Sequence, residues 1–370
     1  MPEAGEKESR AQSYSRIKYS LAACDIFYSL ALLVIFLISG FSKMLALNLS
    51  AVSQSSYFIV PAYLFIVSLG FYILNFPLNL YQSYILEHKF SLTNQKISNW
   101  ALDQLKSQIL SFIFILILVS AFYAILKAFP RYWWFMVSAF WITFSIGIAK
   151  ILPVLIIPLF FKYKKVDDEA LRERVIALAR KMQVKILDVF EIDFSKKTLK
   201  ANAAFVGLGG TRRVLLADTL RNKYTHDEIE IILAHEFAHY KLKHLIKMVL
   251  VNSVVTFALF YLIFRTSGWA LNIFELSSLS DIAALPLAFL YFSLFGLIIQ
   301  PLSNFISRAF ESDADRLSIQ FTGNKTAFVS AMNKLADQNL ADRSPHPLIK
   351  LFFFDHPPID ERLKLAEKVN

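Results

Sequence analysis

The chain has 370 residues, of which 56% are hydrophobic and only 18% charged, where an ordinary soluble domain carries roughly 25% charged residues; with a mean hydropathy of +0.47 this excludes a typical soluble protein. The 35 Phe and 15 Tyr strengthen the membrane reading, because aromatic residues face lipid and gather at the bilayer interface. The net charge of +10 does not imply nucleic acid, since the basic residues lie between apolar runs, and the single cysteine, Cys24, excludes an intrachain disulfide and a cysteine-rich metal site.

A helix crosses the hydrocarbon core in about 20 apolar residues, and six stretches qualify. A polar amino tail precedes the first, Tyr19 to Phe41, which lacks a clear small-residue cleavage site and is read as a retained span. Tyr57 to Leu86, Ser107 to Leu126 and Tyr132 to Phe161 follow, the last broken by Pro153 and Pro158, where kinks are expected. Met248 to Phe264 and Ile282 to Ser307 complete the set.

Six crossings place both termini on one side. The amino tail carries Lys7, Arg10, Arg16 and Lys18, and the segment 87–106 carries Lys89, Lys96 and Lys106, whereas the opposite loops hold Lys43, then Lys127 with Arg131, then Arg265. The positive-inside rule makes the first side cytoplasmic. The organisation expected is four spans within 1–161, a polar segment at 162–247, two spans within 248–307 and a second polar segment at 308–370, both polar segments being cytoplasmic.

The segment 162–247 reads as a small α+β unit. VDDEALRERVIALARKM (166–182) has helical periodicity and KILDVFEID (185–193) alternates like a strand. NAAFVGLGG (202–210) and TRRVLLADT (211–219) look like two strands about a glycine turn. Thr225 and Glu228 then form a T-x-x-E capping box that starts a helix.

That helix carries His235, Glu236 and His239, an H-E-x-x-H motif. Histidines four residues apart share a helix face, so two imidazoles can grip one ion, and the ion suited to such donors is zinc, one per chain. Glu236 is placed to act as general base toward an attacking water. Three fixed positions also arise by chance, so the motif needs a third ligand. His244 is five residues beyond His239 and turns to another helix face; the other candidates are the carboxylates Glu275, Glu311, Glu361 and Glu367. Glu275 falls on the far side of the membrane, whereas Glu311 lies just past the sixth span on the side of His235. Asp315, one turn later on the same face, is placed to hydrogen-bond a ligand histidine, while Asp313 faces solvent.

The ordered set NAAFVGLGGTRRVLLADTL (202–220), LAHEFAH (233–239), SRAFESDAD (307–315) and DHPPIDERL (355–363) resembles the integral-membrane zinc metallopeptidases of the CAAX prenyl protease family, which remove the last three residues of prenylated proteins. YILEHKF (84–90) and IIPLFFKYKKV (156–166) match as well, so the resemblance runs from about residue 20 to the end. It implies zinc on His235, His239 and Glu311, Glu236 as base, and Asp315 behind a ligand. It adds His356 and Arg362 as groups that steady the substrate carbonyl or the oxyanion, and Asn202, Ala203 and Ala204 as a strand edge that pairs with substrate backbone. The fold class expected is thus a mostly α membrane protein of about six transmembrane helices with a small α+β metallopeptidase domain, enclosing an intramembrane chamber as in the family. Well-known eukaryotic members have seven spans, and alignment of the motifs implies that the first has no counterpart here, so a smaller or laterally open chamber is expected. The implied partners are the lipid bilayer and a peptide or protein substrate, either a prenylated tail or a membrane protein under quality control. The implied location is a bacterial inner membrane, or the endoplasmic reticulum membrane in a eukaryotic cell. A noncatalytic zinc-bearing membrane scaffold is the alternative, and it predicts loss of Glu236 or of a ligand; neither is lost.

Overall fold

The computed structural model describes residues 4–207 and 212–369, with side chains from Ser9 onward. In chain order the membrane half consists of α1 (Ala4–Ile38), α2 (Phe41–Val52), α3 (Ser56–Lys89), α4 (Ile97–Ala128) and α5 (Trp133–Phe160). The first polar segment adds β1 (Tyr163–Lys165), α6 (Glu169–Lys181), β2 (Val189–Ile192), β3 (Ala203–Val206), β4 (Arg213–Ala217) and α7 (His226–Lys241). Then come α8 (His244–Ile273), α9 (Leu285–Thr322), α10 (Lys325–Asn339), α11 (Pro347–Phe353) and α12 (Ile359–Lys368).

Among the described residues, six helices are long and apolar enough to cross a bilayer. They correspond to the six apolar runs but mostly reach further, because once a helix is nucleated, polar residues extend it outside the hydrocarbon at little cost. The apolar helix α2 is an addition to the sequence reading. Gly40, in the left-handed region at φ 72°, turns the chain sharply after α1, and α2 docks through Ser42, whose hydroxyl lies 2.6 Å from both Tyr63 Oη and the Ala283 carbonyl. Inside a bilayer such hydrogen bonds and close packing, rather than the hydrophobic effect, hold helices together. The proline-broken fourth run becomes one helix with a π-helical turn at Leu152–Ile156, which lets the chain absorb Pro153 without ending the helix.

Where α4, α5, α8 and α9 meet, Phe122, Trp133, Phe260, Trp141 and Phe292 form a chain of ring contacts with centroids 5.6 to 6.5 Å apart. They leave a cavity of only about 70 Å³ at that point. A larger cleft of about 570 Å³ opens between α1, α9 and α11, with Asp25, Gln300, Asn304 and Asp355 along it.

The polar segments 162–247 and 308–370 fold together. A four-stranded sheet of order β1-β2-β4-β3 pairs β2 with β4 in parallel and the other neighbours antiparallel, leaving β3 at an edge. The glycine turn expected between β3 and β4 falls largely at 208–211, outside the described residues. Leu171, Val175 and Leu178, at i, i+4 and i+7 on α6, are fully or almost fully buried in a core shared with Val214, Leu216, Ile229, Phe237, Ala314 and Phe328. Burying side chains of this size contributes about 1.5 to 3 kcal/mol each. A second cluster joins the amino end of α1, the end of α3 and the polar unit: Tyr14 Oη donates to Glu87 (2.6 Å), and Lys200 Nζ reaches Glu87 (2.8 Å) and Tyr14 (3.0 Å). The amino terminus, the α3–α4 loop and both polar segments therefore share one side of the helix bundle.

Candidate active site

The site is built on two crossing helices. The expected capping box starts α7: Thr225 Oγ accepts from Glu228 N at 3.3 Å, and Glu228 Oε2 accepts from Thr225 N at 2.8 Å. Buried Glu228 also takes Ser330 Oγ at 2.6 Å and Lys334 Nζ at 2.7 Å, which ties α7 to α10. The second helix is α9, 38 residues long and so about 57 Å from end to end. It outruns the bilayer and carries Glu311 and Asp315, one turn apart, into the polar unit.

His235, His239 and Glu311 converge, with one ligand-type atom from each lying within 4.8 Å of the others. His235 Nε2 lies 3.1 Å from Glu311 Oε2 and 3.1 Å from His239 Nε2, and His239 Nε2 is 3.2 Å from Glu311 Oε1. On its other side His235 Nδ1 lies 2.8 Å from Asp315 Oδ1. A proton on Nδ1 toward Asp315 leaves a bare Nε2 facing a buried Glu311 oxygen that has no hydrogen-bond partner among the described residues. Two lone-pair nitrogens and an anionic oxygen then face one point, an arrangement that needs a cation. In a cation's absence a proton must serve: burial favours the neutral ring, yet the Asp315 and Glu311 carboxylates push His235 up to about 10. The residues present therefore fit a bound metal.

Arg362 forks onto Asp315, with Nε 2.7 Å from Oδ2 and Nη2 2.5 Å from Oδ1, and both side chains are at most 10% exposed. The expected substrate-steadying guanidinium is thus engaged with the carboxylate that faces His235. His356 sits in the open part of the site, its Nε2 3.4 Å from Glu311 Oε1 and its Nδ1 2.9 Å from Asp355. Burial works against its charge, but Asp355 and Glu311 outweigh it and hold His356 above the usual imidazole value. Glu236 is half-buried, one residue from His235 on α7.

The β3 edge packs on α7, with the Phe205 ring edge-on to Phe237 at 5.5 Å and Tyr240 at 5.8 Å. Its register divides the three expected residues. The Asn202 carbonyl accepts from Ala217 N at 3.0 Å and Ala204 lies opposite Leu215, so both backbones face β4. Ala203 and Phe205, at the alternate positions, turn their backbone groups to the open edge. One step before, Ala201 is closed off by the Asn339 side chain, which accepts from Ala201 N at 2.9 Å and donates to its carbonyl at 3.4 Å. Asn339 had no signal in the sequence, since only the fold brings the end of α10 to this strand.

The profile of peptidase family M48 matches residues 165–370, more than half the chain. The chain belongs to peptidase family M48. A second profile, described as the CAAX prenyl protease N-terminal region with five membrane helices, matches residues 4–162 of this M48 peptidase. It is 31% identical over 362 residues to an uncharacterized metalloprotease YhfN of Bacillus subtilis, covering 97% of this chain and 85% of that one. CAAX prenyl protease 1 of Saccharomyces cerevisiae is 28% identical, with 80% of this chain and 70% of the yeast protein covered. The crystal structure of S. mikatae Ste24p superimposes with a TM-score of 0.87 at 27% identity, covering 98% of this chain and 89% of Ste24p. The protein is a multi-pass membrane metallopeptidase, mostly helical with a small sheet, as the sequence led one to expect.

Proposed function

We propose that this M48 peptidase is a zinc endopeptidase of the CAAX prenyl protease type, acting on membrane-associated polypeptides at the cytoplasmic face. The observation that carries the reading is the meeting of His235 and His239, with Glu236 beside them on α7, and Glu311 on α9, the helix that continues out of the sixth apolar span. Zinc held by the two histidines and Glu311 would supply a Lewis acid for the scissile carbonyl and for the attacking water. Glu236 takes the proton from the water and returns it to the leaving amine. His356, whose Nδ1 faces Asp355 and whose Nε2 points into the open part of the site, donates to the oxyanion. Arg362 holds Asp315, and Asp315 holds the His235 ring with its proton on Nδ1. Substrate backbone adds to β3 through the outward groups of Ala203 and Phe205, with the side chains of Asn202 and Ala204 flanking that contact. The basic amino tail and α3–α4 loop lie on the side of this site, which supports a cytoplasmic orientation.

The test compares purified protein with Glu236→Gln in detergent, measuring zinc content and cleavage of a farnesylated CAAX peptide and of an unfolded membrane-protein reporter. Equal zinc with cleavage lower by about 10²- to 10⁴-fold in the variant is expected, and the probe that is cut names the substrate class. Zinc without cleavage of either probe favours the scaffold alternative; a parent protein without zinc sinks the metal assignment.

A further inference from the structure

The two ligand histidines are backed differently. His235 turns its Nδ1 to Asp315, a carboxylate. His239 turns its Nδ1 to His244 Nδ1, 3.0 Å away. This contact exists because the helix breaks: α7 ends before Leu242, Lys243 takes the left-handed region at φ 57°, and α8 starts afresh at His244. On an unbroken helix a residue five positions on would face elsewhere.

His244 is built into the site. It is 3% exposed, and its ring stacks on Phe310 with centroids 4.4 Å apart and planes within 8°. Phe310 immediately precedes Glu311, so the stack fastens this ring to the helix bearing the third ligand. Its Nε2 is buried without a hydrogen-bond partner among the described residues. An unpartnered buried imidazole nitrogen is costly, so this ring's place calls for an explanation, and its other nitrogen supplies one.

Resting on the metal reading above, we infer that His244 is a positioning residue for His239, acting as a neutral hydrogen-bond acceptor that fixes which nitrogen of His239 is bare. If His239 gives its Nε2 lone pair to the metal, its proton resides on Nδ1. Among the described residues, the group placed to accept that proton's hydrogen bond is His244 Nδ1, so His244 carries its own proton on Nε2. A carboxylate here would add a negative charge to a site that already holds Glu311 and Asp315. The neutral ring orients His239 without that charge, leaving the metal more strongly electron-withdrawing.

The zinc-loaded protein in detergent is titrated with a competing chelator beside His244→Phe, which keeps an aromatic ring against Phe310 but has no acceptor, and His244→Asn, whose Oδ1 takes the place of Nδ1. Expected are a 10- to 100-fold weaker zinc affinity in His244→Phe, recovery of most of it in His244→Asn, and an altered visible spectrum of the Co2+-substituted His244→Phe protein. A role in packing alone predicts the opposite order, lower stability of the metal-free protein with unchanged zinc affinity, and that result overturns the inference. Should His244→Phe fail to fold, nitrogen-15 spectra of histidine-labelled, zinc-loaded wild type decide: a proton on His244 Nε2 supports the inference and one on Nδ1 overturns it. Wild type without zinc would overturn the metal reading on which this rests, whereas equal zinc affinity in wild type and both variants overturns the positioning role alone.

Discussion

Replacing Asp315 by asparagine separates the two tasks of one carboxylate. Asp315 is fully buried, with Oδ1 2.8 Å from His235 Nδ1 on one side, and accepts from the Arg362 fork on the other. An amide has one acceptor oxygen, so it can serve either His235 or Arg362, and its NH2 meets a donor on the remaining side. If the oxygen turns to Arg362, the NH2 group favours a bare Nδ1 on His235, the wrong tautomer for a ligand Nε2. Loss of the carboxylate behind a ligand histidine typically weakens metal binding 10- to 100-fold, or about 1.4 to 2.7 kcal/mol. Separately, the Arg362 guanidinium is left buried without a counter-charge, and breaking a buried pair costs about 3 to 5 kcal/mol. The assays are zinc competition with a chelator and thermal unfolding of the metal-free protein, on Asp315→Asn and on Asp315→Asn combined with Arg362→Met. The double variant is expected to regain much of the lost stability, because the Arg362 charge is no longer buried without Asp315, but none of the zinc affinity. If Asp315→Asn matched wild type in both assays, or if the double variant recovered zinc affinity, Asp315 would not divide its work between His235 and Arg362 in this way.

At the β3 edge, Ala203→Pro removes an outward N–H while sparing the ladder to β4, and should lower kcat/KM roughly 2- to 10-fold with unchanged thermal stability; Ala204→Pro, opposite Leu215 in that ladder, should instead destabilise the polar unit, and equal effects would refute the register argument. Asp188 is 5% exposed and is held below the usual carboxylate range chiefly by Arg172, with Nε at 2.8 Å, and by Lys165. Its depressed value means the stabilisation is fully present above the unfolded carboxylate value near 4 and is lost as pH falls through the folded value. Asp188→Asn should therefore be less stable by about 1 to 3 kcal/mol at neutral pH, with the gap closing in acid; a gap independent of pH counts against the pairing. Thr225→Ala removes the cap of α7 and should cost about 0.5 to 2 kcal/mol in thermal unfolding, without changing zinc stoichiometry. Stripping the metal should lower the unfolding temperature, and zinc at 1,000 times its Kd should restore about 4 kcal/mol; an unfolding temperature indifferent to chelator would mean the cluster is not a metal site.

The amino-acid sequence by itself determined what local patterns can carry. Six runs of span length require helices because hydrocarbon leaves no other partner for backbone groups, and T-x-x-E before H-E-x-x-H sets both the start of a helix and the shared face of two imidazoles. Span counting also excluded Glu275 as third ligand, and among the carboxylates left on that side the family resemblance pointed to Glu311. Tertiary structure decided what depends on contacts between distant segments. The run that looked as if it ended at Ser307 continues unbroken to Thr322, because packing against α7 supports the polar turns that hydropathy leaves out. Arg362 faces Asp315 across 47 residues of sequence, Asn339 closes the β3 edge at Ala201, and a single left-handed residue, Lys243, brings His244 back to His239. Periodicity sees none of these, because it assumes that a helix continues and knows nothing of what lies across the space beside it.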